Sequence, residues 1–154
     1  MKPKYMIKSV PTKLKGFTLI ELLVVIAILG ILAAAVLVAI NPGKRTRQAQ
    51  DAKRKNDIGA IATEIQGYYT TPGSGTYPLS IEVLVTDKYL KKMPLDPTAN
   101  TTYAYATGGG ATEIAIWATL AEPVGTGTRV WCYQSWSGKA QELTNTGANS
   151  CTTP

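Results

Sequence analysis

The amino-acid sequence predicts an α+β protein: a long, kinked N-terminal helix whose second half packs on a small antiparallel β-sheet. An uncharged apolar run occupies residues 22–40. A second helical pattern over residues 44–69 carries one apolar stripe. The C-terminal half contains short, β-rich segments separated by glycine-rich connections. Such segments are typical of an antiparallel meander of three or four strands.

The first sixteen residues are basic and contain no acidic residue. They hold five of the 16 basic residues of the chain, so the eleven that remain (16 − 5) face 10 acidic residues. Most of the net charge of +6 therefore comes from the first sixteen residues, which have the composition of a targeting segment. In an ordinary secretory signal an apolar stretch lies between the basic start and the cleavage site. Here residues 1–16 contain no such stretch, and the apolar run begins only after Gly16.

The apolar segment, residues 17–40, has the length and composition of a membrane-spanning helix. Its nineteen residues 22–40 would extend about 28 Å, close to the roughly 30 Å hydrocarbon core of a bilayer. Thr18 and Glu21 have the spacing of a capping box at the helix start. The tripeptide at residues 41–43 then interrupts the pattern, and Pro42 is predicted either to kink the helix or to sit in a short break.

The second helix is predicted to cover the sheet with one stripe of side chains. Ile58, Ile61, Ile65 and Tyr68 recur at spacings of three and four. Because the stripe begins at Ile58, residues 44–55 are expected to be solvated or to stand clear of the globular part.

Residues 44–55 also contain a cluster of basic side chains. The cluster comprises Lys44, Arg45, Arg47, Lys53, Arg54 and Lys55. A solvated helix face is one interpretation, and contact with anionic headgroups or neighbouring subunits is another. Direct DNA binding is the least favoured, because no aromatic residues are interleaved with the charges. Nucleic acid is therefore not an expected partner.

Four strands are predicted, over residues 102–107, 112–120, 129–136 and 140–143. In the second strand Ile114 and Ile116 point to one face, and Trp117 points to the other. In the third strand Trp131 and Tyr133 share a face, with Cys132 opposite. We expect these aromatic residues to pack within the sheet, and an exposed adhesive patch is the alternative.

The residue types exclude many catalytic classes. The chain has no histidine, which removes imidazole bases, serine–histidine–aspartate triads and histidine metal ligands. It has no clustered acidic pair and no phosphate-binding glycine loop before a helix. We therefore expect a protein that is not an enzyme and that has no catalytic residue, cofactor or metal. Cys132 and Cys151 are an even pair, which fits one disulfide in an exported protein, with two unpaired thiols as the alternative.

The most specific motif is KGFTLIEL, over residues 15–22. A basic leader ending in glycine, then an aromatic residue, Thr-Leu-Ile-Glu and about twenty apolar residues, resembles the class III signal of type IV pilins and type II secretion pseudopilins. The resemblance implies that a prepilin peptidase cuts between Gly16 and Phe17 on the cytoplasmic side and methylates the new amine of Phe17. It also implies that Glu21 pairs with the Phe17 amine of a neighbouring subunit. The alternative is that Glu21 only caps its own helix.

The same resemblance implies the domain organisation and a structural function. Residues 1–16 would be the leader, residues 17–43 the membrane and filament-core helix, and residues 44–154 a globular domain. The precursor would cross the inner membrane once, with its C-terminal domain outside the cytoplasm. It would then polymerise with its own copies and with minor pilins on an inner-membrane assembly platform.

The expected product is an extracellular type IV pilus or a related filament. The first alternative is a type II secretion pseudopilin in a short periplasmic pseudopilus. A more remote alternative is a membrane-anchored binding module.

Residues 77–105 resemble one branch of this family, the major pseudopilins of type II secretion. The motifs are Tyr-Pro-Leu at residues 77–79, Pro-Leu-Asp-Pro at residues 94–97 and Tyr-Ala-Tyr at residues 103–105. Those pseudopilins often bind calcium through clustered acidic residues near the sheet. Here Glu113, Glu122 and Glu142 are widely spaced, so no calcium site is predicted. The pair Cys132 and Cys151 instead resembles the disulfide-bounded region of many type IV pilins.

The cleavage prediction can be checked on the protein isolated from its host. Mass spectrometry of the native N-terminus should find a chain that begins at a methylated Phe17. A mature protein that still begins at Met1 would contradict the prediction.

Overall fold

The computed structural model describes residues 16–71, 73, 75–145 and 151. Except for Gly16, the predicted leader lies outside the described residues. The chain divides into two compact units that are joined between Asn41 and Pro42. The architecture is α+β, as the sequence predicts, with helices first and a four-stranded antiparallel sheet after them.

The first unit contains α1, the 22-residue helix Leu19–Ile40. Its N-cap is Thr18, and the predicted capping box with Glu21 is present. The helix continues through Gly30 without interruption, and none of its residues is buried. It ends at Asn41, whose φ of 47° lies in the left-handed region that asparagine tolerates.

The second unit begins with α2, the 29-residue helix Pro42–Thr70. Pro42 takes the first helical position, where its missing N–H leaves no hydrogen bond unmade. Of the two alternatives for Pro42, the structure therefore has a short break at Asn41. A single helical turn, α3 (Val83–Thr86), follows α2.

The sheet consists of β1 (Ala104–Gly108), β2 (Glu113–Thr119), β3 (Arg129–Gln134) and β4 (Lys139–Thr144), in the order β1-β2-β3-β4. All neighbouring strands are antiparallel. The predicted meander is thus confirmed, and its strand bounds differ from the prediction by at most two residues.

The inner face of the sheet packs on the predicted stripe of α2. Ile58, Ile61 and Ile65 are fully buried and form one core with Ile114 and Ile116. Trp131 and Tyr133 pack against this core, and Cys132 lies on the opposite face. The apolar stripe therefore has the covering role that the sequence assigns to it.

The outer face of the sheet is also covered, which the sequence does not predict. Its core is a small cluster of Ala115, Val130, Cys132 and Cys151. The side chains packed against this cluster are Trp117, Trp136 and Leu143. The three tryptophans are half-buried in the two cores rather than displayed as an exposed patch.

The prediction for residues 44–55 is wrong in its second half. Asp51 and Arg54 are only 4% and 5% exposed, so α2 joins the globular part well before Ile58. The sequence pattern misses this contact because the buried residues are charged and are held by ion pairs rather than by apolar packing.

Truncating the centre of the inner core should destabilise the domain. Ile61→Ala removes a fully buried side chain and should lower the free energy of unfolding by about 2–5 kcal/mol. Urea denaturation of the chain in detergent micelles measures this change. Ala60→Ser, at an exposed position of the same helix, should stay within about 0.5 kcal/mol of the wild type. Equal effects of the two substitutions would contradict the assigned core.

Candidate functional site

The start of α1 is organised by Thr18 and Glu21. The backbone N–H and the hydroxyl of Thr18 both donate to Glu21 Oε2, at 2.8 and 2.7 Å. The Glu21 N–H returns a hydrogen bond to Thr18 Oγ1 at 3.3 Å. Two orphan donors of the first turn are thereby satisfied, and the carboxylate lies at the positive end of the helix dipole.

The other carboxylate oxygen of Glu21 is available. Within the described part of the chain, no hydrogen bond is formed to Glu21 Oε1, and the residue is exposed. A shallow apolar groove of about 360 Å³ lies beside it, lined by Phe17, Ile20, Val24 and Val25. Glu21 can therefore cap its own helix through one oxygen and accept a hydrogen bond from another molecule through the other.

The surface of α1 is almost entirely apolar and exposed. Apart from Glu21 the helix Leu19–Ile40 carries no charge. Its 22 residues extend about 33 Å, enough to cross a bilayer. By length and composition, α1 is the one helix of the described residues that could do so. Such a surface requires lipid or another apolar partner, because its exposure to water is strongly unfavourable.

The basic cluster on α2 is largely engaged within its own chain. Arg47 forms an ion pair with Glu122 at 2.6 Å, Lys53 forms one with Asp57, and Lys55 lies 4.6 Å from the ring centre of Trp131. These three side chains therefore have partners within their own unit.

Arg54 is the most constrained member of the cluster. Its Nη1 donates to Asp51 at 2.7 Å, and its Nε and Nη2 donate to the two carboxylate oxygens of Asp96 at 2.6 and 3.0 Å. This fork-to-fork geometry is the strong form of an arginine–carboxylate pair. It fixes the loop that carries Asp96, in the Pro-Leu-Asp-Pro segment, against α2.

The ionisation of this pair is tuned by its contacts. Hydrogen bonding to Arg54 lowers the pKa of Asp96 to about 2, assisted by the backbone N–H groups of Thr98 and Ala99. The same hydrogen bonds raise the pKa of Arg54. Nearby, burial and a hydrogen bond to Asp57 raise the pKa of Tyr103. These shifts belong to a structural network, because every group in it is paired.

Sequence reasoning does not find this network. The available signal is the spacing of Asp51 and Arg54, three residues apart on a helix, together with an aspartate between two prolines. Neither feature shows that Arg54 and Asp96 meet, because they lie 42 residues apart.

The remaining candidate residues lie apart from this network. Cys132 and Cys151 are joined by a disulfide that ties residue 151 to β3. In the described residues there is no group of three or more Cys, Asp or Glu side chains placed to hold a metal ion. Gly16 and Phe17 lie in irregular backbone just before Thr18, the N-cap of α1. The arrangement offers an exposed apolar helix with one carboxylate, and a separate globular unit stabilised internally.

Comparison with known proteins extends this description. The family model for the prokaryotic N-terminal methylation motif matches residues 12–37. The type II secretion system core protein G of Pseudomonas aeruginosa is 39% identical over 110 residues, which cover 61% of this chain and 74% of that protein. The protein of the same name from Vibrio cholerae is 32% identical over 119 residues, which cover 68% of this chain and 78% of that protein. No solved structure matches the chain.

The pKa of Asp96 predicts how the stability of the domain depends on pH. The pKa is lowered from 3.8 to about 2, so the contribution of this carboxylate is complete above pH 3.8 and is lost as the pH falls toward 2. The loss should be about 1–2 kcal/mol after allowance for solvent screening. Asp96→Asn should be less stable at neutral pH and should show a flatter pH dependence.

Urea denaturation at a series of pH values between 6 and 2 measures both effects. Asp87→Asn changes an exposed side chain for which no ion pair is described; it is the matched control and should retain the wild-type slope. A wild-type slope in Asp96→Asn would show that the pair contributes nothing to acid sensitivity.

Proposed function

The chain belongs to the family of the type II secretion system core protein G, and we propose that it is a structural subunit of a periplasmic pseudopilus. Two relatives, each covered over more than two thirds of its length, support the assignment. Their name points to the pseudopilin alternative rather than to the surface pilus that the sequence motif first suggests. The proposed role is structural and not enzymatic.

The observation that carries this proposal is the exposed apolar surface of α1. A helix with no buried residue must be covered in the functional state. In the precursor the cover is lipid, and in the filament it is the α1 helices of other subunits. Small side chains at Gly30, Ala33, Ala34 and Ala35 allow the close helix approach that such packing needs.

Processing generates the assembling form. We propose that a prepilin peptidase removes residues 1–16 by cutting between Gly16 and Phe17 on the cytoplasmic side, and that the Phe17 amine is methylated. The globular domain from residue 44 onward then lies outside the cytoplasm. The partners are copies of this chain, related minor pseudopilins and an inner-membrane assembly platform.

Glu21 is the proposed assembly residue. Its Oε2 is used by Thr18, and Oε1 is open to the Phe17 amine of a neighbouring subunit. A charge pair of this kind, surrounded by apolar helices, is favourable only when both partners are present, and it would fix the axial register between subunits. The apolar groove beside Glu21 provides space for the incoming N-terminus.

The type IV pilus remains the second candidate, and one observation favours it. The disulfide between Cys132 and Cys151 resembles the disulfide-bounded region of pilins. The two functions differ in their cellular product, since a pseudopilus supports export of proteins from the periplasm and a pilus extends from the cell.

Neutralising Glu21 should separate processing from assembly. Glu21→Gln keeps the size of the side chain and its ability to cap, but removes the charge that pairs with an amine. We expect leader cleavage to continue, pseudopili to be lost, and substrate proteins to accumulate in the periplasm. Mass spectrometry, electron microscopy of sheared filaments and a secretion assay measure the three outcomes.

Leu23→Ile, in the same exposed apolar helix, is the matched control and should assemble normally. Normal filaments from Glu21→Gln would refute the pairing role. Normal secretion together with loss of long surface filaments in a deletion strain would favour the pilus.

A further inference from the structure

The loop between β2 and β3, residues 120–128, is surrounded by three carboxylates, and each is paired with an arginine. The pairs are Asp51–Arg54, Glu122–Arg47 and Glu142–Arg129, at 2.7, 2.6 and 2.8 Å. Each carboxylate that contacts the loop is therefore paired with a guanidinium group, and Arg54 also pairs with Asp96. A divalent cation would be repelled by these arginines and would have to displace them.

The backbone of the same loop turns its donors toward the carboxylates. The N–H groups of Ala121 and Glu122 donate to Asp51 at 2.9 and 2.7 Å. Those of Val124 and Gly125 donate to Glu142 Oε1 at 3.0 and 3.3 Å.

A calcium ion needs about six to eight oxygen atoms directed at it. Here the carboxylate oxygens instead accept hydrogen bonds from backbone N–H groups and arginines. A calcium site of the kind that major pseudopilins often have does not fit these residues, in agreement with the prediction from the sequence.

The outer face of the sheet is closed by the disulfide. Cys151 is 2% exposed and is bonded to Cys132 on β3. Its sulfur also lies 3.8 Å from the carbonyl oxygen of Ile116 on β2. Cys151 thus covers the sheet at the point where Ala115 and Val130 form the outer core.

We infer that oxidation of Cys132 and Cys151, and not calcium binding, completes the folded globular domain. The two thiols lose two protons and two electrons to form one sulfur–sulfur bond. The electrons pass by thiol–disulfide exchange to a protein disulfide outside the cytoplasm, which becomes a dithiol. The inference concerns the folded domain and does not depend on the filament proposal.

Thermal unfolding of the mature, full-length chain in detergent micelles tests this inference. Circular dichroism would be recorded with calcium chloride, with EGTA and with dithiothreitol. The melting temperature should agree within about 1 °C between calcium and EGTA. Dithiothreitol should lower it by roughly 10 °C or more, because it removes a cross-link spanning 19 residues.

A rise of about 4 °C or more with calcium would overturn the inference, and so would a melting temperature that is unchanged by the reductant. The double variant Cys132→Ala with Cys151→Ala should melt at the lower temperature and should not respond to dithiothreitol.

Calcium titration of the oxidised wild-type protein by calorimetry keeps the test decisive if that variant does not fold. No saturable heat is expected, and a saturable heat would contradict the inference. Because these measurements use the isolated chain, a failure here is distinct from a failure of filament assembly.

Discussion

The exposure of α1 governs how this protein can exist in the cell. Twenty-two residues form a helix with no buried side chain, and a single carboxylate lies in its first turn. Water is a poor solvent for such a surface, so the helix must be covered by lipid or by similar helices. Both covers are apolar, so transfer from one to the other costs little hydrophobic free energy. Helix packing and the proposed pairing at Glu21 would then decide the outcome.

The globular unit contributes in a different way, because its charged groups are used internally. Arg47 and Arg129 each pair with one carboxylate, and Arg54 pairs with two. Asp51 also anchors the backbone of the β2–β3 loop. An arrangement that separated the partners of such a pair would leave an uncompensated buried charge. The network therefore favours one arrangement of α2, the Pro-Leu-Asp-Pro loop and the sheet. The basic side chains of α2 that take part in this network therefore have a structural role.

Much of the fold can be predicted from the sequence, because it follows from periodicity. The spacing of Ile58, Ile61 and Ile65 identifies the face of α2 that covers the sheet, and the alternation around Ile114 and Ile116 identifies the inner face. The spacing of Thr18 and Glu21 identifies the cap of α1. Periodicity does not reveal contacts between distant polar groups, so the pair of Arg54 and Asp96 is missed. It also does not show how the outer face of the sheet is covered, because Cys151, which lies 19 residues after Cys132, joins that cover through the disulfide.

Cryo-electron microscopy of the assembled filament tests the central claim most directly. The account predicts that the α1 helices form the filament core, with the Glu21 carboxylate of one subunit within hydrogen-bond distance of the methylated Phe17 amine of another. A filament held together by its globular domains, with α1 at the periphery or still attached to residues 1–16, would contradict it.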